Sequence, residues 1–401
     1  MKPLKILQIV PSISLVYGGP SQMVRGLSAA LGAQSAVGQV TVITTDSNGD
    51  VDELPLDVPL GQPVTEDGYE VIYFRCSPFR RYKFSLDLLS WLWANADQYD
   101  IAHIHALFSP VSTSAATVCR WKNLPYLMRP LGTLDPADLQ KKKQTKQLYA
   151  SLFERPNLAG AAAIHFTSEQ EAKVSERFGV ETPDVVIPLG VALPDLPERI
   201  AAQASIRAAF DIPAERTIVL FMSRVDPKKG FDLLLPALED LYAHDCPFHF
   251  LLCGANPQDR AYENDIRRQI QAAPWADQAT LNGFVSGELK AQILSAADVF
   301  VLPSYYENFG IAVAEAMAAS IPVVISDQVH IWPEIQASTA GWVVPCEVKA
   351  LTEALETAIA QPDERLQRGQ NARRCAQEKY SWEAIAQRIT ITYQQILDAK
   401  P

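Results

Sequence analysis

Several things are missing from this chain, and each absence narrows what it can be. No apolar run reaches the ~18–20 residues that a membrane-spanning helix needs. The opening residues, Met1 to Leu7, pass straight into a strand-like segment. They offer neither the apolar stretch nor the small-residue cleavage site of a secretory leader. Both points predict a cytoplasmic protein, with peripheral contact at the inner face of the cell membrane left open. The six cysteines (Cys76, Cys119, Cys246, Cys253, Cys346 and Cys375) show no CxxC pair and no metal-ligand spacing. They read as reduced, mostly buried thiols rather than a disulfide framework. Positive charge is also in short supply: 35 Lys and Arg stand against 46 Asp and Glu, a net charge of −11. That balance excludes non-specific nucleic-acid binding, which needs a basic footprint. Any anionic ligand must be held by locally placed cations. No GxGxxG is present, so the nicotinamide and flavin fingerprint is absent, and no short-period repeat is visible.

What is present is ordinary in bulk. Hydrophobic residues make up 48% and charged residues 20% of 401, close to soluble globular usage. The length suits two domains of about 200 residues each. Short β-rich runs alternate with amphipathic stretches, the pattern of parallel α/β folds. Strands are predicted at 6–10, 40–44, 70–74, 101–105, 125–129, 163–167 and 185–188. In the second half they fall at 217–222, 248–253, 279–281, 298–302, 322–326 and 342–344. Helices are predicted at 21–31, 231–243, 289–296 and 310–319. The stretch 189–200 carries Gly190, Pro194 and Pro197 between two complete β/α sets and reads as a linker. The chain is therefore divided into a Rossmann-like domain at 1–193, a second at 205–378 and a closing helix at 379–401. Two such lobes with a cleft between them put ligands at the carboxyl ends of the strands.

The second half carries the clearest chemistry. A strand ends at Leu302, a loop holds Glu307, and a helix begins near Phe309. That helix is almost wholly apolar except for Glu315. A carboxylate there is costly unless it accepts hydrogen bonds, and ribose hydroxyls are plausible donors. The amides of Asn308, Phe309, Gly310 and Ile311, at the helix N-terminus, suit a pyrophosphate. A capping Glu307 and a Glu315 paired with a neighbouring base would look the same from these residues alone. The strand 217–222 leads into Arg224 and Lys229, two cations five residues apart and before a helix. Arg offers a bidentate fork and Lys a point charge, a suitable clamp for phosphates. In the first half, Tyr17-Gly18-Gly19-Pro20 links a strand to a helix, and paired glycines allow close backbone approach to a ligand. His103 and His105 share one face of a strand, with no third residue spaced to complete a metal site. His165 reads as a satisfied, partly buried residue.

Together, RxxxxKG at Arg224–Gly230, the Gly283-Phe284 turn and the E-x7-E pair of Glu307 and Glu315 resemble the family 4 retaining glycosyltransferases of the GT-B fold. The resemblance runs along the whole chain and is strongest over 217–330. It implies two Rossmann-like lobes, with the last helix crossing back to the first. It implies a metal-independent transfer of sugar, with retention, from a nucleoside diphosphate, uridine being the base favoured on family grounds. No resident cofactor is implied, and the metal set is empty. Carried residue by residue, the resemblance puts Glu307 beside the transferred sugar and Glu315 on the ribose. Arg224 and Lys229 then bind the diphosphate, and amides from Asn308 to Ile311 touch the sugar. Gly254, Phe284 and Val285 lie on the nucleotide side, Phe284 and Val285 with Glu288 near the base. The Gly18-Gly19 loop closes over donor phosphates and acceptor, and His105 reaches the donor sugar while His103 is structural. Leu127–Pro136 resembles the PRGxL-x-P segment of members that build bacterial exopolysaccharide, which puts Arg129 and Gly132 toward the acceptor. The implied partner is a glycan or lipid-linked saccharide. Lys141, Lys142, Lys143 and Lys146 read as a solvated helix face, or as a contact for lipid headgroups or an acceptor pyrophosphate. Two other classes stay open: a sugar-nucleotide 2-epimerase on the same architecture, and a non-enzymatic two-lobe sugar-binding protein. The sugar and the oligomeric state are not fixed by the sequence.

Overall fold

A computed structural model describes residues 2–17, 19–49, 54–77, 83–135, 148–192 and 195–399. Gly18, Pro136, the lysines at 141–146 and Pro194 lie outside the described residues. The chain divides into two compact units: residues 1–190 with 382–401, and residues 191–381.

Unit 1 is built on an eight-stranded sheet in the order β3-β4-β2-β1-β5-β6-β7-β8. Its strands are β1 Leu4–Ile9, β2 Val37–Thr45, β3 Pro63–Glu66, β4 Tyr69–Phe74, β5 Ile101–His105, β6 Tyr126–Arg129, β7 Ala163–Phe166 and β8 Asp184–Val186. All pairings are parallel except β3 on β4. Parallel strands are covered on both faces and so read as near-continuous apolar runs, which is why seven of the eight are visible in the sequence. The exception is β3, a short polar edge strand of sequence PVTE with no buried residue. Its pairing comes from the turn into β4 rather than from burial.

One face of this sheet packs on the helices Leu86–Asn95 and Pro110–Trp121. The other packs on Gly19–Gly32 and on the last helix, Trp382–Asp398, through Ile385, Ile389 and Tyr393. The last helix thus returns to unit 1. Trp382 anchors it against two bare backbones, since a Cβ on Gly190 or Gly26 would lie 2.1 or 2.4 Å from its ring.

Unit 2 holds a six-stranded, all-parallel sheet in the order β11-β10-β9-β12-β13-β14. The strands are β9 Thr217–Met222, β10 Phe248–Cys253, β11 Ala279–Leu281, β12 Val299–Leu302, β13 Val323–Ser326 and β14 Gly341–Val344. The order reverses between β9 and β12. A crevice opens at such a point at the carboxyl ends, where open α/β sheets bind ligands. In unit 1 the corresponding reversal lies between β1 and β5. Both units are thus doubly wound α/β domains, the fold class read from the sequence.

Candidate functional site

In unit 2 the loop leaving β9 and the loop leaving β12 touch at the reversal point. Gly230 makes this possible. It sits at φ 75°, and a Cβ there would fall 2.1 Å from the Pro303 carbonyl oxygen. The Lys228 carbonyl accepts from the Tyr305 amide at 2.8 Å. This seam puts the ammonium of Lys229 in an ion pair with Glu307. Lys229 is nearly buried and Glu307 partly so, so water screens the pair weakly. Glu307 is held from behind as well: its amide donates to the Gln328 carbonyl at 3.1 Å, and its carbonyl accepts from the His330 amide at 2.9 Å.

The helix that follows, Ile311–Ala318, begins on Gly310 at φ 80° with no side chain capping it. Its first-turn amides therefore lack a side-chain acceptor, and an uncapped N-terminus favours an anion. Phe309 is buried edge-on against Tyr380, so only its backbone can face a ligand. Val285 is likewise buried, whereas Phe284 is 80% exposed. Gly254 closes β10 directly against the Ser223 carbonyl. Arg224 is exposed and donates to Gln258 at 3.2 Å, so of the two cations only Lys229 is buried.

Glu315 has a protein partner. Lys290, from the helix Gly287–Ala296, reaches it at 2.7 Å, and the carboxylate keeps about a fifth of its surface. The cost of a carboxylate in an apolar helix is offset there by a lysine that sequence reading did not single out. The sequence signal was available: Lys290 is a lone base in a helix whose last turn is buried.

In unit 1 the chemistry lies inside the sheet. His105 and Arg129 are register partners at the carboxyl ends of β5 and β6, and both are buried. The His105 Nε2 lies 2.7 Å from Gln8 Oε1, while its Nδ1 has no partner among the described residues. Arg129 donates from Nη1 to the Met23 sulfur and leaves Nε and Nη2 without partners among the described residues. Burial pulls the Arg129 pKa down to about 10, against the opposing pull of Glu171. Burial, with the neighbouring Arg129 charge, holds His103, His105 and His165 well below the usual histidine range. His165 is fully buried rather than partly so, because it hydrogen-bonds His103 and the Ile187 carbonyl.

The loop after His105 is strained, with Ala106 at φ 68° and Phe108 at φ 56°, a cost that clusters at functional sites. Glu154 pins it, accepting from the Phe108 amide at 2.8 Å and from Thr113 at 2.7 Å. The Gly132 amide is committed to Glu171 at 2.9 Å. Gly19 opens the helix Gly19–Gly32. Gln8, Glu154 and Tyr393 were not read as site residues from the sequence. Gln8 is the one polar residue inside the buried part of β1, a signal that was there.

Among the described residues, no group of three His, Cys, Asp or Glu side chains is placed to hold a metal ion. Among them no helix is long and apolar enough to cross a membrane.

Two family models match the chain: Glycosyl transferase 4-like domain over residues 18–190 and Glycosyl transferases group 1 over residues 202–375. The chain is 28% identical over 197 residues to the alpha-D-kanosaminyltransferase of Streptomyces kanamyceticus, a match to 49% of this chain and 50% of that protein. It thus spans about half the length of that relative. Among solved structures, the sucrose-phosphate synthase of Thermosynechococcus elongatus matches at 25% identity and TM-score 0.74, each chain covered completely. The Anabaena protein HepE, in complex with UDP-glucose, matches at 18% identity and TM-score 0.71, with 98% of this chain and 100% of that one covered.

Proposed function

For a chain that belongs to the family 4 type of GT-B glycosyltransferases, we propose one reaction: transfer of a sugar from a UDP-sugar donor, with retention, to a glycan or lipid-linked saccharide of bacterial polysaccharide. The observation that carries it is the ion pair of Lys229 and Glu307 beside the uncapped N-terminus of the helix Ile311–Ala318. An incoming diphosphate competes for Lys229 and releases Glu307 for the hydroxyls of the sugar. UDP-glucose in the Anabaena protein supports the choice of uridine.

In this reading Arg224, Lys229 and the amides of Asn308, Phe309, Gly310 and Ile311 stabilise the diphosphate as charge develops on it. Glu315, oriented by Lys290, accepts from the ribose, and Gly254, Phe284 and Val285 border the nucleotide. Gly18 and Gly19 flank the donor phosphates. His105 holds the sugar, and Arg129 and Gly132 lie toward the acceptor. The bond from C1 to the diphosphate oxygen breaks through an oxocarbenium-like state, and the acceptor oxygen bonds C1 on the same face. The acceptor proton passes to the departing phosphate oxygen.

A thermal-shift panel of nucleoside diphosphates tests the donor, because selective binding raises the melting temperature by mass action. UDP is expected to stabilise most; a stronger shift with GDP or ADP overturns the uridine assignment. Release of free UDP that depends on acceptor, with the product anomer read by proton NMR, tests the rest. An inverted product refutes retention, and a donor isomerised without UDP release indicates the epimerase instead.

A further inference from the structure

Five side chains and one backbone carbonyl form an unbroken line of hydrogen bonds inside unit 1. At one end the Ile187 carbonyl lies 2.8 Å from His165 Nε2. A carbonyl has no proton to give, so His165 carries its hydrogen on Nε2. All three histidines of the line are fully enclosed beside the Arg129 guanidinium and are neutral, with one N–H each. His165 Nδ1 is therefore bare and accepts from His103 Nε2 at 3.1 Å. His103 Nδ1 is then bare in turn and accepts from the Tyr393 hydroxyl at 2.7 Å.

Tyr393 has now spent its only proton. Its oxygen accepts from Gln8 Nε2 at 3.3 Å, which fixes the orientation of the amide. Gln8 Oε1 faces His105 Nε2 at 2.7 Å and can only accept, so His105 also carries its hydrogen on Nε2. The line ends on His105 Nδ1, bare, buried and without a partner among the described residues.

We propose that this line is a tautomer-setting relay, in which Tyr393 and Gln8 act as positioning residues that hold His105 in its Nε2–H form and keep its enclosed Nδ1 bare, an acceptor for a hydroxyl of the transferred sugar once that hydroxyl displaces the side chains covering it. The functional half rests on the reading of His105 as a donor-site residue. His105 then works as a neutral hydrogen-bond acceptor, neither an acid nor a cation. Its register partner Arg129 offers the complementary capacity, since its Nε and Nη2 lack acceptors. A hydroxyl suits both residues: it can accept from the guanidinium while donating to the imidazole. The last helix gains a chemical role in this scheme. Tyr393 is its only contribution to the line, and it settles which way the Gln8 amide faces.

The test begins with the unaltered full-length chain carrying 15N-labelled histidine, by NMR at pH 7. The expected spectrum shows His103, His105 and His165 all as neutral Nε2–H tautomers. An Nδ1–H or doubly protonated His105 overturns the relay. Tyr393→Phe removes the proton donated to His103 and the acceptor used by Gln8, freeing the amide to turn. His105 is then expected to populate both tautomers. The kcat should fall roughly tenfold, about the worth of one hydrogen bond, with the acceptor KM unchanged. Gln8→Met should give the same loss, and the double variant no more than either single one, because the line acts as a unit. Losses that multiply overturn the relay. If the tautomers shift as expected while kcat holds, the relay stands and the contact of His105 with the sugar is refuted. Loss of UDP stabilisation in the unaltered chain, by contrast, would strike the donor assignment itself.

Discussion

Replacing Lys229 and replacing Glu307 should have opposite consequences for nucleotide binding, although the two side chains form one ion pair. The Lys229 side chain is 7% exposed and that of Glu307 21%. In the unliganded protein each neutralises the other, so a diphosphate must draw Lys229 away from a carboxylate. Hydrogen bonds to charged groups are worth ~1.5–3 kcal/mol. Lys229→Met keeps most of the side-chain volume and removes the charge, so UDP affinity should fall by about 10- to 150-fold. Glu307→Gln removes the competitor. UDP should bind as well as before or tighter by up to ~1 kcal/mol, about fivefold, the scale of a partly exposed ion pair, while transfer falls by two orders of magnitude or more. Titration calorimetry with UDP at two salt concentrations measures both variants, with the unfolding midpoint checked for each. The salt dependence should weaken in Lys229→Met, since one phosphate contact is gone. Equal losses of UDP affinity in the two variants, or an unchanged affinity in Lys229→Met, would refute the exchange of partners.

Three further perturbations follow from the same geometry. Gly230→Ala places a Cβ 2.1 Å from the Pro303 carbonyl at φ 75°; unfolding in urea should show a loss of ~2–4 kcal/mol, and UDP affinity should drop with it because the seam that sets Lys229 opens. Asp298→Ala strips acceptors from the Ile218 amide at 2.9 Å, Arg199 at 2.8 Å and Gln203 at 3.1 Å; it should cost ~3–5 kcal/mol of stability yet leave UDP affinity within about twofold, since it lies at the amino end of β12, and a large affinity loss would argue against a site at the carboxyl ends. Glu154 is enclosed, and burial raises its carboxyl above the usual range. Its folded pKa exceeds the unfolded one, so its stabilising contribution is complete below about pH 4.3 and is lost as pH rises through the folded value. Glu154→Gln keeps the accepting oxygen and cannot ionise; its stability relative to the parent should grow with pH across denaturation curves at pH 4, 6 and 8, and a pH-independent difference would sink the assignment.

The two units were legible to different degrees, for physical reasons. In unit 2 the polar chemistry sits in loops between fully buried strands such as β9, TIVLFM, and β10, FHFLLC. A charge at the end of an apolar run stands out, so Arg224, Lys229 and Glu307 were visible by type and spacing. What no spacing could give was the contact between the two loops, which depends on the missing Cβ of Gly230 meeting the backbone of Pro303. Lys290 was hidden for a similar reason: its partner Glu315 is 25 residues away, and local pattern carries no information on that pairing.

In unit 1 the polar groups lie within the strands themselves, and there the usual signal works backwards. β5 reads IAHIH, and every residue in it is buried. Strand prediction treats the two histidines as interruptions in an apolar run, yet both are enclosed, His103 with both ring nitrogens hydrogen-bonded and His105 with its Nε2 met by Gln8. The partners come from Gln8 at one end of the chain and Tyr393 at the other, 385 residues apart. A single tyrosine in an amphipathic helix is ordinarily a packing residue. Tyr393 packs too, against the same face as Ile385 and Ile389, but its hydroxyl is the only group in the line that can both give a proton to His103 and take one from Gln8. That double capacity is what requires tyrosine rather than phenylalanine at the position. It also makes the closing helix more than a clasp, because without it the tautomer of His105 would have nothing to set it.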